Sequence, residues 1–193
     1  MWGTGSAANR HYVELALDVV RARLALLLAA VLVASAICAS SGAEPTWEVC
    51  FTPDGGCTKV IVSTLDGAKQ RILVQAYSFT SAPIAKALLE AYKRGVKVEV
   101  ILDKSNRSER YSAADFLARA GIAVRIDAAH AIAHNKVMVI DREIVVTGSF
   151  NFTRAAEEKN AENLLIVHDP ALAARYTENW QAHAAHSEPY TAK

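Results

Sequence analysis

The sequence predicts an α/β fold, a mixed β-sheet flanked by helices, in residues 44–193, behind an export segment in residues 1–43. Three observations predict it. Strand-like and helix-like stretches alternate from Arg71 to the carboxyl terminus. Hydrophobic residues make up 52% of the 193 and prolines number 5, which excludes a disordered chain and suits a packed core behind an apolar leader. Once the leader is set aside, about 150 residues remain, enough for one core and too few for a second catalytic domain.

The leader is read from Leu24 to Ile37, an almost wholly apolar stretch that follows Arg21 and Arg23 and runs into Ser41-Gly42-Ala43. It is shorter than the roughly 20 apolar residues a membrane span needs, so it reads as a signal peptide. Cleavage after Ala43 fits the small-x-small rule, with Ala36 and Ala39 offering other sites and a retained anchor as the alternative. The long acidic stretch before Arg21 is unusual for such a leader and suggests a true translation start near Val19 or Val20. The expected location is periplasmic or secreted. Cys38 falls inside the leader, where Ile37 before it argues against a lipoprotein site. Cys50 and Cys57 remain as a pair around Thr52-Pro53-Asp54-Gly55-Gly56; an oxidising compartment favours a disulfide, and two buried thiols are the alternative.

Arg71 to Phe79 is rich in β-formers, Ala82 to Arg94 has helical periodicity and stops before Gly95, and Val96 to Leu102 alternates as a strand does. A second helix runs from Ser112 to Ala120 and stops at Gly121, and a strand follows from Ile122 to Ile126. Further strands are expected at Lys136 to Ile140, Ile144 to Thr147 and Asn163 to Val167. A last amphipathic helix runs from Pro170 to about His183.

Charge says little about partners. Three of the 21 basic and two of the 20 acidic residues lie in the first 43 positions, which leaves 18 of each in the domain. Global basicity therefore gives no support to nucleic-acid binding, and a solvated surface accounts for scattered charges. Local cations at Lys104, Arg107 and Arg110, and at Arg142, Arg154 and Lys159, must carry any such case.

The chemistry concentrates in His134-Asn135-Lys136-Val137-Met138-Val139-Ile140-Asp141, followed by Gly148-Ser149-Phe150-Asn151. On an extended strand, side chains two apart share a face, so His134 pairs with Lys136 and Ser149 with Asn151. A two-residue loop at Asp141-Arg142 would set His134 opposite Ser149 and Lys136 opposite Thr147; an odd loop would break that register. An ammonium, a hydroxyl and an amide supply donors for nonbridging phosphate oxygens, and an imidazole can attack or carry protons near neutral pH. The set suits phosphoryl transfer. His130 and His134 are spaced as helical zinc ligands are, but Ala131-Ile132-Ala133 leads into a strand. No further cluster in the sequence completes a metal site. His11, His168, His183 and His186 read as exposed or capping residues, and the expected chemistry needs no metal or other cofactor.

The eight-residue segment resembles the H-x-K-x(4)-D signature of the phospholipase D superfamily. GSFNFTRAAEEKNAEN after it is similar to the matching stretch of that superfamily's small bacterial Nuc-type endonucleases, as are AYSFTSAPIAKALLEAYKRGVKVEVILD upstream and the terminal helix with Trp180. The resemblance implies a phospholipase D/nuclease-like fold and a phosphodiesterase. It implies His134 as a nucleophile that forms a phosphohistidine, Lys136 and Asn151 as a phosphate clamp, and Ser149 as part of their hydrogen-bond network. Glu162 would be the carboxylate that accepts from the nucleophile's other ring nitrogen, and Asp141 a supporting structural residue. The sequence holds one such motif where the reaction needs both a nucleophile and an acid, so the resemblance implies a homodimer with the active site on the twofold axis. DNA, and with it RNA, is the expected substrate, touched by Arg107, Arg110, Arg154 and Lys159. Two alternatives stand beside this. A phospholipase or phosphatidyl transferase would act on lipid head groups, although no membrane segment is evident beyond the export signal. A silent nucleic-acid-binding protein would use the same fold without catalysis.

Overall fold

The computed structural model describes residues 44–192, together with Leu17, Val20, Arg21 and Arg23. The export segment, its cleavage point, the translation start, Cys38 and His11 lie outside the described residues. Among the described residues no helix is long and apolar enough to cross a membrane.

One eight-stranded mixed sheet organises the domain. Its strands are β1 (Thr46–Thr52), β2 (Arg71–Ala76), β3 (Lys97–Asp103), β4 (Ala123–Asp127), β5 (Lys136–Ile140), β6 (Ile144–Gly148), β7 (Glu162–His168) and the short β8 (Glu188–Pro189). They lie side by side as β1-β7-β6-β5-β2-β3-β4-β8. The helices are α1 (Cys57–Asp66), α2 (Ala82–Lys93), α3 (Ala113–Arg119), α4 (Arg154–Glu158) and α5 (Pro170–His186). Strands β2, β3 and β4 run parallel through the crossovers α2 and α3, and every other pairing is antiparallel.

Two apolar layers hold helices on both faces, which is why β2 reads as continuous β-former sequence rather than as an alternation. On one face Ile72, Val74, Val100, Met138, Ile140 and Val146 meet Ile61 and Leu65 of α1, Ile84 and Leu88 of α2 and Leu117 of α3. On the other, Leu73, Ile101, Val137, Val139 and Val145 meet Ala173 and Trp180 of α5. Each such Leu or Ile is worth about 1.5–3 kcal/mol in transfer from water. The Trp180 indole N–H also donates to Val74 O at 2.9 Å, fixing α5 across the central strand.

Helix ends follow local chemistry. Asp169 Oδ1 accepts from Ala171 N and Leu172 N ahead of α5, with Pro170 at the first helical position. Ser112 Oγ caps α3 by accepting from Ala114 N, and Thr153 Oγ1 caps α4 by accepting from Ala156 N. Helix α1 has no counterpart in the sequence reading. Its Val-Ile-Val-Ser-Thr run favours a strand by composition, yet Cys57, Ile61 and Leu65 fall on one helical face and all are buried. Cys50 and Cys57 are joined as a disulfide with Cα atoms 5.6 Å apart, tying β1 to the start of this helix.

The β5–β6 register differs by one residue from the expected one. Met138 faces Val146, Val139 faces Val145 and Ile140 faces Ile144, so the connection holds three residues rather than two. Asp141 and Arg142 are both left-handed, at φ 53° and 63°, and Glu143 N donates to Ile140 O. That is the mirror-image turn that matches strand twist, with Glu143 as one extra residue. Continued regularly, this register would turn Ser149 away from Lys136. Gly148, at φ 141°, breaks the alternation: Ser149 N and Phe150 N both donate to Asn163 O of β7.

Candidate active site

The parallel strands β2, β3 and β4 end on one rim of the sheet, and β5 starts there. This is the edge where open α/β sheets present their ligand-binding loops. His134, Lys136, Ser149, Asn151 and Glu162 all lie along this rim, just before β5, at its start, on the segment after β6, and at the start of β7.

His134 is exposed and Lys136 is only 7% exposed, so the imidazole stands at the surface over a buried ammonium. Lys136 Nζ donates to His134 O at 2.9 Å and lies 5.1 Å from the centre of the Tyr77 ring. The Tyr77 and His134 ring centroids are 4.7 Å apart at 53°. Tyr77 immediately follows β2, and its N–H donates to Asn135 O at 2.8 Å, which places it against both residues. Sequence spacing could not connect Tyr77 with the motif. Its only signal was an aromatic residue at a strand's carboxyl end.

The segment 149–153 presents its polar side chains by simple alternation. Phe150 and Phe152 are fully buried, and Phe152 packs edge-on against Phe79 with centroids 5.7 Å apart. Phe152 O accepts from Thr80 N and Ser81 N. With both phenyl rings locked inward, Ser149 and Asn151 point the other way. Ser149 Oγ donates to Glu162 Oε2 at 2.6 Å and accepts from Asn163 N at 3.0 Å. Glu162 Oε1 accepts from Asn160 Nδ2 at 2.9 Å. The hydrogen bond to His134 that the resemblance implies is not among those Glu162 makes; the carboxylate reaches the site through Ser149 and through its charge on Lys136. Asn151 is half-buried, and its Oδ1 has no hydrogen-bond partner among the described residues.

Burial holds Lys136 below the ordinary lysine range, and the negative charge of Glu162 opposes that shift in part. Asp103, at the end of β3, experiences the reverse balance. Burial works to raise its pKa, but hydrogen bonds from Ser105 and from Ala133 N outweigh it and hold the carboxyl below its usual range. Its Oδ2 accepts from Ala133 N at 2.8 Å and so anchors the residue just before His134. Asn106, also buried, donates to Tyr77 O and accepts from Ser112 Oγ, securing the adjacent loop. Neither residue carried a local sequence signal.

Asp141 lies at the opposite end of β5, seven residues and therefore roughly 20 Å from His134. Its oxygens accept from Lys69 N, Gln70 N and Arg71 N at 2.8, 2.8 and 2.9 Å. Burial works to raise its pKa, but these backbone donors prevail and hold it below the usual carboxylate range. The cations expected to touch a polymer are already engaged in part. Arg107 pairs with Glu188, Arg154 with Glu158 at 2.7 Å, and Arg110 lies 5.3 Å from the Tyr111 ring centre, while Lys159 is exposed.

The sequence reading did not foresee one grouping: His130, His183 and His186 converge on the buried carboxylate of Asp127, outside the motif. The four come from β4, the loop after it and α5. The only hint in the sequence was the i,i+3 spacing of His183 and His186 on one helix face. Of the other histidines read as exposed or capping, His168 is exposed on β7.

The profile described as "Cardiolipin synthase, PLD-like domain" matches residues 61–184. A Rickettsia felis protein named phospholipase D is 51% identical over 133 residues, which are 69% of this chain and 66% of that one. The match thus spans slightly less than two thirds of that relative's length. A mitochondrial cardiolipin hydrolase of Xenopus laevis is 34% identical over 128 residues, 66% of this chain and 60% of that one. Among solved structures, Nuc of Salmonella typhimurium, described as a phospholipase D family member, superposes with a TM-score of 0.74 at 40% identity and covers 77% of this chain and 100% of its own. NucT of Helicobacter pylori gives a TM-score of 0.71 at 25% identity, covering 76% and 100%.

Proposed function

The chain belongs to the phospholipase D superfamily, and from that premise we propose that it is a metal-independent phosphodiesterase, an endonuclease of DNA or RNA that works as a homodimer. The observation that carries the reading is the exposed His134 imidazole, set against Tyr77 above the buried Lys136 on an open rim. Similarity to Nuc across the whole of that chain supports the nuclease reading.

In the first step a ring nitrogen of His134 attacks phosphorus. The bond to the leaving oxygen breaks, and His134 of the partner subunit gives that oxygen its proton. Lys136 and Asn151 donate to the nonbridging oxygens, where charge builds as the bond breaks, and Ser149, whose hydroxyl hydrogen is committed to Glu162, holds the surrounding network. In the second step the partner's imidazole, now neutral, takes a proton from water. The hydroxide attacks phosphorus, the nitrogen–phosphorus bond breaks, and both histidines return to their starting states. Glu162 positions Ser149 and supports the charge of Lys136. Asp141 holds the far turn and takes no part in the chemistry. Lys159, Arg110 and the outer faces of Arg107 and Arg154 meet the polymer backbone, which makes binding salt-sensitive and indifferent to sequence. Residues 1–43 direct export to the periplasm or beyond, a location that suits the Cys50–Cys57 disulfide.

A second reading, hydrolysis of phospholipid head groups, is favoured by one observation. Trp47, Val49 and Phe51 are 69%, 40% and 65% exposed on one face of the edge strand β1. Phe51 pairs with Asn163, beside Glu162, so this apolar row runs up to the site. Incubation with plasmid, single-stranded DNA, RNA and phosphatidylcholine or cardiolipin vesicles in EDTA separates the readings. Cleavage of nucleic acid with intact lipid is expected. Release of lipid head groups with intact nucleic acid would transfer the function to the second reading, and loss of all turnover in EDTA, with unfolding temperature and circular dichroism unchanged, would refute the metal-independent mechanism.

A further inference from the structure

The carboxyl end of β4, the loop after it and the last turns of α5 bring Asp127, His130, His183 and His186 together. Their ligand-capable atoms all lie within 4.8 Å of one another. The centre of the group is one oxygen. Asp127 Oδ2 lies 2.7 Å from His183 Nδ1, 3.3 Å from His186 Nε2 and 3.8 Å from His130 Nε2. The other oxygen accepts from Ala129 N at 3.1 Å, which fixes the carboxylate and leaves Oδ2 to the imidazoles.

Hydrogen bonding accounts for only part of this arrangement. His183 and His186 lie within hydrogen-bond reach of the carboxylate, whose side chain is 0% exposed, but His130 stands 3.8 Å away, beyond it. The three rings are 4.9, 5.2 and 5.3 Å apart, centroid to centroid, so protonating all of them would set three positive charges around a single negative one. None of the four has a part in the chemistry proposed for His134. The cluster has a buried floor at Asp127 and an open side, with His130 and His186 side chains 47% and 38% exposed, which gives an ion a path in.

We propose that Asp127, His130, His183 and His186 form a zinc site, with three imidazole nitrogens and one carboxylate oxygen as a four-coordinate ligand set. That donor set suits zinc and matches poorly the all-oxygen preference of calcium or magnesium. With ligands at about 2.0–2.2 Å from the metal, tetrahedral neighbours stand roughly 3.3 Å apart. Separations of 2.7 to 4.8 Å reach that with side-chain adjustment. Because the protein fills all four positions, the ion is structural. It fastens the end of α5 and the loop from Ala128 to Asn135 to β4. That loop carries His134 and is also held by the Asp103 bond to Ala133 N, the Lys104 bond to His130 O, the Ala129 bond to Asp127 and the contacts of Tyr77 and Lys136 with Asn135 O and His134 O.

The untagged chain, stripped with EDTA and dialysed, is titrated with zinc chloride by calorimetry and melted with and without the ion. One zinc per chain and a raised Tm are expected. His130→Ala and His186→Ala, at the two most exposed ligands, should each lower zinc affinity by more than the roughly 10–100-fold that loss of an outer partner costs. His168→Ala, at an exposed histidine on β7, should leave it unchanged. Zinc-edge anomalous diffraction from wild-type crystals needs no variant: a peak among the four side chains supports the site. A peak at His134, no peak, or zinc affinity unaltered by His130→Ala and His186→Ala overturns it.

Discussion

Replacing Asp141 with asparagine separates a structural role in the signature motif from a chemical one. The carboxylate holds three backbone N–H groups at the start of β2, two on Oδ1 and one on Oδ2. Asparagine keeps one carbonyl oxygen for Gln70 and Arg71 and tolerates the left-handed φ of 53°, but it loses the charge and the acceptor for Lys69 N. A hydrogen bond to a charged group is worth about 1.5–3 kcal/mol, and water can replace part of it at this exposed turn, so the loss should be about 1–2 kcal/mol. Alanine loses all three bonds and meets left-handed strain as well, for a total of about 3–4 kcal/mol. At roughly 2–4 °C per kcal/mol for a domain of this size, asparagine should lower Tm by about 2–8 °C and alanine by about 6–16 °C. The acid dependence has a defined sign. The folded carboxyl sits below its usual range, so its stabilisation is complete above the unfolded value of about 3.9 and is lost as pH falls through the folded value. The gap between wild type and Asp141→Asn should therefore close in that acid window. Calorimetric melts across pH, paired with turnover per folded molecule at low temperature, test this. An Asp141→Asn protein with wild-type Tm and no turnover would refute the structural assignment.

Two further outcomes follow from the site. Burial lowers the pKa of Lys136 and Glu162 opposes it, so the alkaline limb of kcat/KM should lie below that of an ordinary lysine. Glu162→Gln should move it lower still, and an unmoved limb in the pH profile would contradict the electrostatic link. A Cβ at Gly148 would lie 2.3 Å from Asn163 O, and φ is 141°, so neither the β7 backbone nor the residue can yield cheaply. Gly148→Ala should cost about 2–4 kcal/mol in urea unfolding and displace Ser149, and an unchanged unfolding midpoint would count against the bulge as the feature that aims it.

The elements that were legible in the sequence are those whose local pattern agrees with their burial. Strands β2 to β7 and helices α2, α3 and α5 announced themselves by period, caps and the glycines at 95 and 121. Helix α1 did not, because its β-branched run contradicts its helical packing on Ile61 and Leu65. The hairpin register was misjudged because two left-handed residues and one unpaired glutamate leave no mark on hydrophobic alternation. His134, Lys136, Ser149 and Asn151 could be picked out because they lie on short extended stretches where spacing fixes the face, whereas Glu162 stood out only through the resemblance. Tyr77, Asp103, Asn106 and the Asp127 cluster depend on strands and loops distant in sequence, and only the assembled sheet brings them together.

The most direct test of the central claim is to catch the covalent intermediate. Wild-type protein is mixed with DNA, quenched in denaturing alkali within a turnover, and its peptides are sequenced by mass spectrometry. The account predicts a phosphoramidate on the His134 imidazole, absent from His134→Asn. Sustained turnover without that adduct, or a phosphorylated residue elsewhere, would contradict it.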